Sequence, residues 1–312
     1  MLHNKTPHTP VLLNEVLQSF KSMSKKDGVF IDCTLGYGGH SEAILKKFPK
    51  IHLIGIDQDP EAIEFSLKRL EPFKRRFKAL NGRFSVLVPK LLQKGNVCGI
   101  LADFGVSSPQ FDKKERGFSF NSENLDMRMD PRAKISAYEI VNRYSKSKLE
   151  YIFKEYGQIR VYKKVTRAII DARSKKPIES GMELSSIIGK ILHKHGKTNP
   201  VTTLFQAIRI EVNDELTEIT RLLDTLEENR PNGVVVGLIT FHSLEDRLVK
   251  HRFKKWSSSC ICPSNSFRCS CGNSNDIGKI LYKKPIVANS DELKKNLRSR
   301  SAKLRVFKFK EF

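Results

Sequence analysis

Asp32-Cys-Thr-Leu-Gly-Tyr-Gly-Gly-His40 separates a strand from a helix, and most of what this chain implies begins at that junction. Before it stands the apolar run Val29-Phe-Ile, ending on the acid. After it stands Ser41-Glu-Ala-Ile-Leu-Lys-Lys-Phe48, a helical pattern with Ser41 near its N-cap and Pro49 at its end. A glycine-rich turn between a strand's carboxyl end and a helix lets backbone approach a ligand and turns amide N–H groups toward it. One strand later, His52-Leu-Ile-Gly-Ile56 closes on Asp57, 21 residues beyond Gly36. From there a carboxylate can accept both hydroxyls of a ribose. The glycine pattern is G-x-G-G, not the G-x-G-x-x-G of a dinucleotide site. An adenosine-bearing cofactor without a pyrophosphate, S-adenosyl-L-methionine, fits it better, and an NAD-dependent dehydrogenase is disfavoured.

The same alternation runs outward from the junction. Asp59 and Pro60 supply an N-cap and first position for a helix through Leu70. Strands near Phe77–Leu80 and Gly99–Ala102 follow. A βαβαβ order with continuous apolar strands predicts a parallel sheet covered on both faces. Asp103 ends the last of these strands and opens Asp103-Phe-Gly-Val-Ser-Ser-Pro-Gln110. Strand carboxyl ends flank the ligand crevice of such sheets, so Asp103 and Gln110 are placed to meet cofactor or substrate. An Asp there equally serves as a helix cap. From about Gln110 to Thr203 no buried strand is evident. Helical periodicity appears at Ser136–Tyr144, Lys148–Tyr156, Lys164–Arg173 and Met182–His193. Strand text resumes at Val234–Thr240 after the turn Pro231-Asn232-Gly233, and Lys303–Lys310 reads as a last, basic-sided strand. The expectation is one α/β domain, residues 1–109 and 205–312, interrupted by a helical insertion at 110–204.

The 312 residues carry 56 Lys+Arg against 34 Asp+Glu, a net charge of +22, with 39% hydrophobic residues. That is apolar material enough for a core and excludes a wholly disordered basic chain. The strongest apolar run, Val234–Ile239, is far short of the ~20 residues of a membrane span. The N-terminus lacks an apolar signal region, so the expected compartment is the cytosol, with no membrane partner. The charge is spread through Lys74-Arg75-Arg76, Lys163-Lys164, Lys175-Lys176, Lys254-Lys255, Lys283-Lys284 and the final run to Lys310. A Lys-rich composition alone raises such a total, but the spread suits an extended polyanion better than a small acidic ligand. Cys33 and Cys98 read as ordinary buried thiols. Cys260, Cys262, Cys269 and Cys271 form C-x-C-x6-C-x-C. Structural zinc is one reading, although the arms are tighter than the usual C-x2-4-C; adventitious thiols are the other.

Several segments together resemble the RsmH (MraW) family. They are His8-Thr-Pro-Val-Leu-Leu13, Asp32–Ser41, Ile56-Asp-Gln-Asp-Pro60, Asp103–Gln110 and Arg116-Gly-Phe-Ser-Phe120. Leu125-Asp-Met-Arg-Met-Asp130, Phe205-Gln-Ala-Ile-Arg-Ile210, Phe241-His-Ser-Leu-Glu-Asp-Arg247 and the Arg298-Ser-Arg-Ser-Ala-Lys303 tail extend the likeness over nearly the whole chain. The resemblance implies a Rossmann-like class I S-adenosylmethionine-dependent methyltransferase sheet with an inserted all-helical domain. It implies methylation of N4 of a cytosine in the decoding centre of 16S rRNA in the small ribosomal subunit. Carried onto this chain, the cofactor contacts fall on Gly38, Gly39, His40, Asp57, Phe84, Asp103 and Gln110. Without the resemblance Phe84 reads as core. Relatives commonly carry an acidic pair after the Tyr-Gly of the insertion; Tyr156-Gly-Gln-Ile-Arg160 lacks it, so no role of that pair carries over.

Cytosine N4 is a poor nucleophile because its lone pair is delocalised into the ring. An acceptor at its hydrogens helps, and Asp103 is the first candidate. His242, after the Val234–Thr240 strand, is the second; it equally suits a cap on the following turn. The signature [DNS]-P-P-[YFW] is absent, with Asp103-Phe104-Gly105 in its place, so base stacking falls to Phe104, Phe118 or Phe241. No cysteine suits a C5-methylation nucleophile, since the one Cys-Pro pair is Cys262-Pro263. Arg116, Arg128, Arg132, Arg298 and Arg300 are candidate rRNA contacts. The competing functions are a methyltransferase on another RNA or DNA, and a catalytically silent rRNA-binding assembly factor.

Overall fold

The computed structural model describes residues 10–25, 27–192, 200–263, 266 and 268–312. His8, Thr9 and His193, which belong to segments quoted above, lie outside the described residues. Seven strands form one sheet: β1 Gly28–Asp32, β2 Ile51–Asp57, β3 Phe77–Asn81, β4 Val97–Asp103, β5 Val235–Thr240, β6 Gly278–Ile280 and β7 Lys303–Phe309, in the order β3-β2-β1-β4-β5-β7-β6. The first five are mutually parallel; β7 runs antiparallel to β5 and β6 antiparallel to β7. This is the sheet of a class I methyltransferase. β6 leaves no mark in the sequence pattern: three residues are too few for period-2 alternation to show.

The strands read as unbroken apolar runs because each face has its own core. Successive residues alternate between faces. Ile31, Ile100, Val236 and Phe307 point into one core; Phe30, Leu101, Val235 and Val306 point into the other. The first core is closed by the helices Phe84–Gln93, Glu215–Asn229 and Ser243–Trp256, and the second by Leu13–Ser19, Gly39–Lys47 and Pro60–Arg69. Trp256, Phe307 and Phe309 pack with ring centroids 5.1–5.4 Å apart, which adds about 0.5–1.5 kcal/mol per pair beyond area burial.

The chain divides into two units, one of Met1–Gly105 with Thr217–Phe312, the other Val106–Leu216. The insertion is therefore longer than the expected 110–204. The physical reason is the helix Pro200–Asn213, whose Val201, Leu204, Phe205, Ala207, Ile208 and Val212 all sit in the core of the helical unit. That core also takes Ile140, Leu149, Phe153, Val165, Ile169 and Leu184 from the helices Ala137–Arg143, Lys146–Tyr151, Tyr162–Arg173 and Gly181–Gly189 and the intervening turn. No strand occurs among the described residues of this unit. In the other unit, Asp59 caps the helix Pro60–Arg69 through a 3.0 Å bond from Glu61 N–H, with Pro60 at its first position. Ser41 does not cap. The helix starts earlier, with Gly38 as N-cap, and Ser41 is buried one turn inside.

Candidate active site

In the α/β unit three of the five parallel strands end on acids along one edge. Asp32 pairs in register with Gly55 and Leu101, Asp57 with Asn81, and Asp103 with Ile239. The order reverses between β1, which leads to β2, and β4, which leads to β5. Asp32 and Asp103 thus flank the switch point where open sheets bind ligands.

The glycine turn is built around these acids. Asp57 Oδ2 accepts the Gly36 N–H at 2.7 Å, and its Oδ1 accepts the Asp59 N–H at 2.9 Å. Asp32 Oδ2 accepts the Ser41 hydroxyl at 2.7 Å and Oδ1 the Thr34 N–H at 3.2 Å. Thr34 Oγ1 accepts the Asp103 N–H at 2.6 Å, tying the turn to the end of β4. Ser66, wholly buried on the helix Pro60–Arg69, donates its hydroxyl to the Gly36 carbonyl at 2.7 Å. Thr34, Ser41 and Ser66 were not singled out as site residues. A hydroxyl that braces a turn from inside a helix carries no spacing signal of its own.

Two glycines need to be glycine. Gly38 sits at φ 75°, and a Cβ there would lie 3.2 Å from both Ser66 Oγ and Leu70 Cδ1. A Cβ on Gly39 would lie 2.4 Å from Pro10 Cγ. Pro10 and Val11 strap the turn from outside, and His40 Nε2 bonds the Val11 carbonyl at 2.9 Å. That contact accounts for the N-terminal motif: it holds His40, which is buried, with Nδ1 3.8 Å from Asp103 Oδ2.

The acids are electrostatically exceptional. Burial pushes Asp32 up to about 6, against the opposing bonds from Ser41 and Thr34. Burial likewise pushes Asp57 up to about 6, against the Asp59 and Gly36 amides. Asp103 is held well above the carboxylate range by burial and then by the negative charges of Asp32 and Glu245. Asp103 Oδ1 is buried with no hydrogen-bond partner among the described residues. Among the described residues, no Lys or Arg forms an ion pair with any of the three. A sheet edge with three raised carboxyls and, among the described residues, an orphaned acceptor favours a ligand that brings positive charge and hydrogen-bond donors.

Phe84 begins its helix after β3, partly buried, with its ring 6.0 Å from that of Phe104. Phe104 and Phe118 are both 4% exposed and belong to cores. Phe241 is the one less buried, and it lies against the backbone after Asp103: a Cβ on Gly105 would meet its Cδ2 at 3.1 Å. Gln110 falls in the helical unit, where it closes a capping box with Ser107: Oε1 accepts the Ser107 N–H at 3.0 Å. His242 is the N-cap of the helix Ser243–Trp256. Its Nδ1 accepts the Glu245 N–H at 3.5 Å, and its Nε2 lies 3.0 Å from Glu245 Oε1. Glu245 is fully buried and returns Oε2 to the Phe241 N–H at 2.7 Å and the His242 N–H at 3.2 Å.

The description of the MraW methylase family matches residues 5–310. The chain belongs to that family. A ribosomal RNA small subunit methyltransferase H from Sulfurovum sp. is 57% identical over 306 residues, covering 98% of this chain and 99% of the relative. Its counterpart from Nitratiruptor sp. is also 57% identical, over 305 residues, with the same coverage. A solved rRNA methylase from Streptococcus thermophilus covers 98% of this chain and 100% of its own at 8% identity and a TM-score of 0.40. The strand order, not this last likeness, establishes the fold.

In the helical unit, the segments Arg116–Phe120 and Leu125–Asp130 belong to a braced loop. Asn213 Nδ2 donates to the Met127 carbonyl and its Oδ1 accepts the Met129 N–H, both at 2.8 Å. Arg116 Nη2 donates to the Arg128 and Met129 carbonyls at 3.1 Å. Arg128 grips Asp126 through Nε at 2.8 Å and Nη2 at 2.6 Å, and donates Nη1 to the Ala133 carbonyl at 2.8 Å. Expected as rRNA contacts, Arg116 and Arg128 have their guanidiniums committed to their own loop. Arg132 pairs with Asp130 but stays 62% exposed.

Proposed function

We propose that this chain transfers a methyl group from S-adenosyl-L-methionine to N4 of a cytosine in the decoding centre of 16S rRNA in the small ribosomal subunit. The observation that carries the reading is Asp103: a carboxyl at the switch point, raised in pKa, with Oδ1 buried beside the glycine turn and without a hydrogen-bond partner among the described residues. Family membership supports the reaction class, and the relatives' printed names support the RNA. The acids fit the cofactor. Its sulfonium and amino group bring the positive charge that Asp32, Asp57 and Asp103 lack, whereas a pyrophosphate would be repelled by them. Asp57, at the end of β2, would accept the ribose hydroxyls, Phe84 would hold the adenine, and Gly38, Gly39, His40 and Gln110 are the further contacts that the resemblance implies.

When bound, the cofactor supplies an electrophilic methyl. The protein's share is to hold the amine in line with it and to manage the proton. Asp103 accepts a hydrogen bond from N4–H, which draws the lone pair back onto nitrogen, and takes the proton as the new bond forms. His242 fixes the start of its helix and keeps Glu245 in place near Asp103, so its role is positioning. Phe241, next to Gly105, is the aromatic on which the extruded base stacks. The net charge of +22 serves the phosphates around the target.

The test is incubation with labelled S-adenosylmethionine and small subunits lacking the mark, followed by mapping of the modified nucleoside. Label at N4 of one cytosine of 16S rRNA supports the proposal. Label elsewhere on RNA or DNA, or binding without transfer, overturns it in favour of another substrate or a silent assembly factor.

A further inference from the structure

The helix Ser243–Trp256 and β6 are joined by an excursion outside the site of the strand-ending acids. None of the described residues between 257 and 276 is buried. The stem is paired: Ile277 N–H donates to the Trp256 carbonyl at 2.9 Å and Asn275 N–H to the Ser259 carbonyl at 3.0 Å. Asn275 Nδ2 adds bonds to the Ser259 and Cys271 carbonyls at 3.1 and 3.0 Å. Beyond the stem no apolar core holds these described residues. Four thiols converge there instead.

Cys260 Sγ lies 3.7 Å from Cys269 Sγ and 3.8 Å from Cys271 Sγ, and Cys269 and Cys271 are 3.5 Å apart. With Cys262, all four sulfurs fall within 4.8 Å of one another. All are free thiols. These separations are far longer than the ~2.05 Å of a disulfide. They match the edge of a tetrahedron of sulfurs about 2.3 Å from a central zinc, which is about 3.8 Å. The two C-x-C arms also brace each other reciprocally. The middle residue of the first arm, Ile261, donates its N–H to Cys271 Sγ at 3.4 Å, and the middle residue of the second, Ser270, donates to Cys262 Sγ at 3.3 Å. Amide bonds to sulfur from outside the coordination sphere favour the thiolate and orient it.

We infer that Cys260, Cys262, Cys269 and Cys271 bind one zinc ion as four thiolates. Binding releases the four thiol protons to solvent and leaves no coordination position for water, so the site is structural and closed. It supplies to this excursion the stabilisation that a core supplies elsewhere. The inference is independent of the proposed methyl transfer.

The experiment is elemental analysis of the full chain, purified under reducing conditions without added metal or metal-affinity resin. The expected result is about one zinc per chain, with none in the Cys260→Ser/Cys271→Ser variant. Should that variant fail to fold, wild-type protein stripped with a chelator and titrated with cobalt gives the second readout: visible ligand-field bands of a tetrahedral thiolate site that saturate at one equivalent. Cleavage within 257–276 by a protease should rise on stripping and fall on zinc return. Metal content no higher than in the variant, iron in place of zinc, or cobalt without tetrahedral bands overturns the inference.

Discussion

The Gly36 N–H donates a 2.7 Å hydrogen bond to Asp57 Oδ2, joining the turn after β1 to the end of β2. The Asp57 carboxylate therefore both shapes the glycine turn and offers its remaining lone pairs to a ligand. Replacing Asp57 with Ala removes an acceptor for charge-assisted bonds, about 1.5–3 kcal/mol, so affinity for S-adenosylmethionine should fall about 10- to 150-fold by calorimetry. Asp57→Asn, which keeps one acceptor, should recover part of the loss. Unchanged affinity in the Ala variant would remove Asp57 from the site.

The raised acids give cofactor affinity and fold stability opposite pH dependences. Asp32 and Asp57 titrate near 6 in the free protein. A ligand bringing positive charge and hydroxyl donors favours their ionised forms. Affinity should then be full above pH 6 and fall as pH drops through it, by up to about tenfold per pH unit per group. For folding the sign reverses. A carboxyl whose folded pKa is raised stabilises the fold below its unfolded value near 3.8, and that contribution is lost as pH rises through about 6. Calorimetry and urea unfolding of the ligand-free protein over this window check both; affinity that does not change across it would contradict the charge argument.

The sequence made the strand-ending acids legible because they stand where apolar runs stop. Asp32, Asp57 and Asp103 each close a continuous strand, and a parallel sheet brings such ends to one edge. What escaped was whatever depends on the third dimension. Ser66 braces Gly36 from thirty residues away, and Pro10 packs on Gly39, with no periodicity linking either pair. A boundary at 204 falls inside the helix Pro200–Asn213, because an apolar helix reads alike whichever core it enters.

His242 illustrates a residue whose chemistry and geometry compete. Both ring nitrogens face Glu245, so the ring serves first as a helix cap. His242→Ala should lower stability by about 1 kcal/mol in urea unfolding, and His242→Asn should restore most of it. The methyl-transfer rate should follow the same pattern. A variant with Asn that folds normally yet loses transfer, and loses its pH dependence with it, would show instead that the imidazole handles a proton.

Arg128 separates a structural arginine from an RNA-binding one. Its fork is occupied by Asp126 and by the Ala133 carbonyl, and its side chain is 26% exposed. Loss of these partly screened bonds in Arg128→Ala should cost about 1–2 kcal/mol. A change of that size lowers Tm by a few degrees in a chain of this length. The dependence of rRNA affinity on salt should keep its slope, because a phosphate contact would reduce it by about one unit. Arg128→Lys sharpens the distinction. Lys keeps the charge that a phosphate needs but cannot make the two-pronged grip on Asp126 while also reaching the carbonyl. The Lys variant should therefore be nearly as destabilised as the Ala variant while binding rRNA as wild type does. Full stability in Lys, with a reduced slope in Ala alone, would place Arg128 on the RNA.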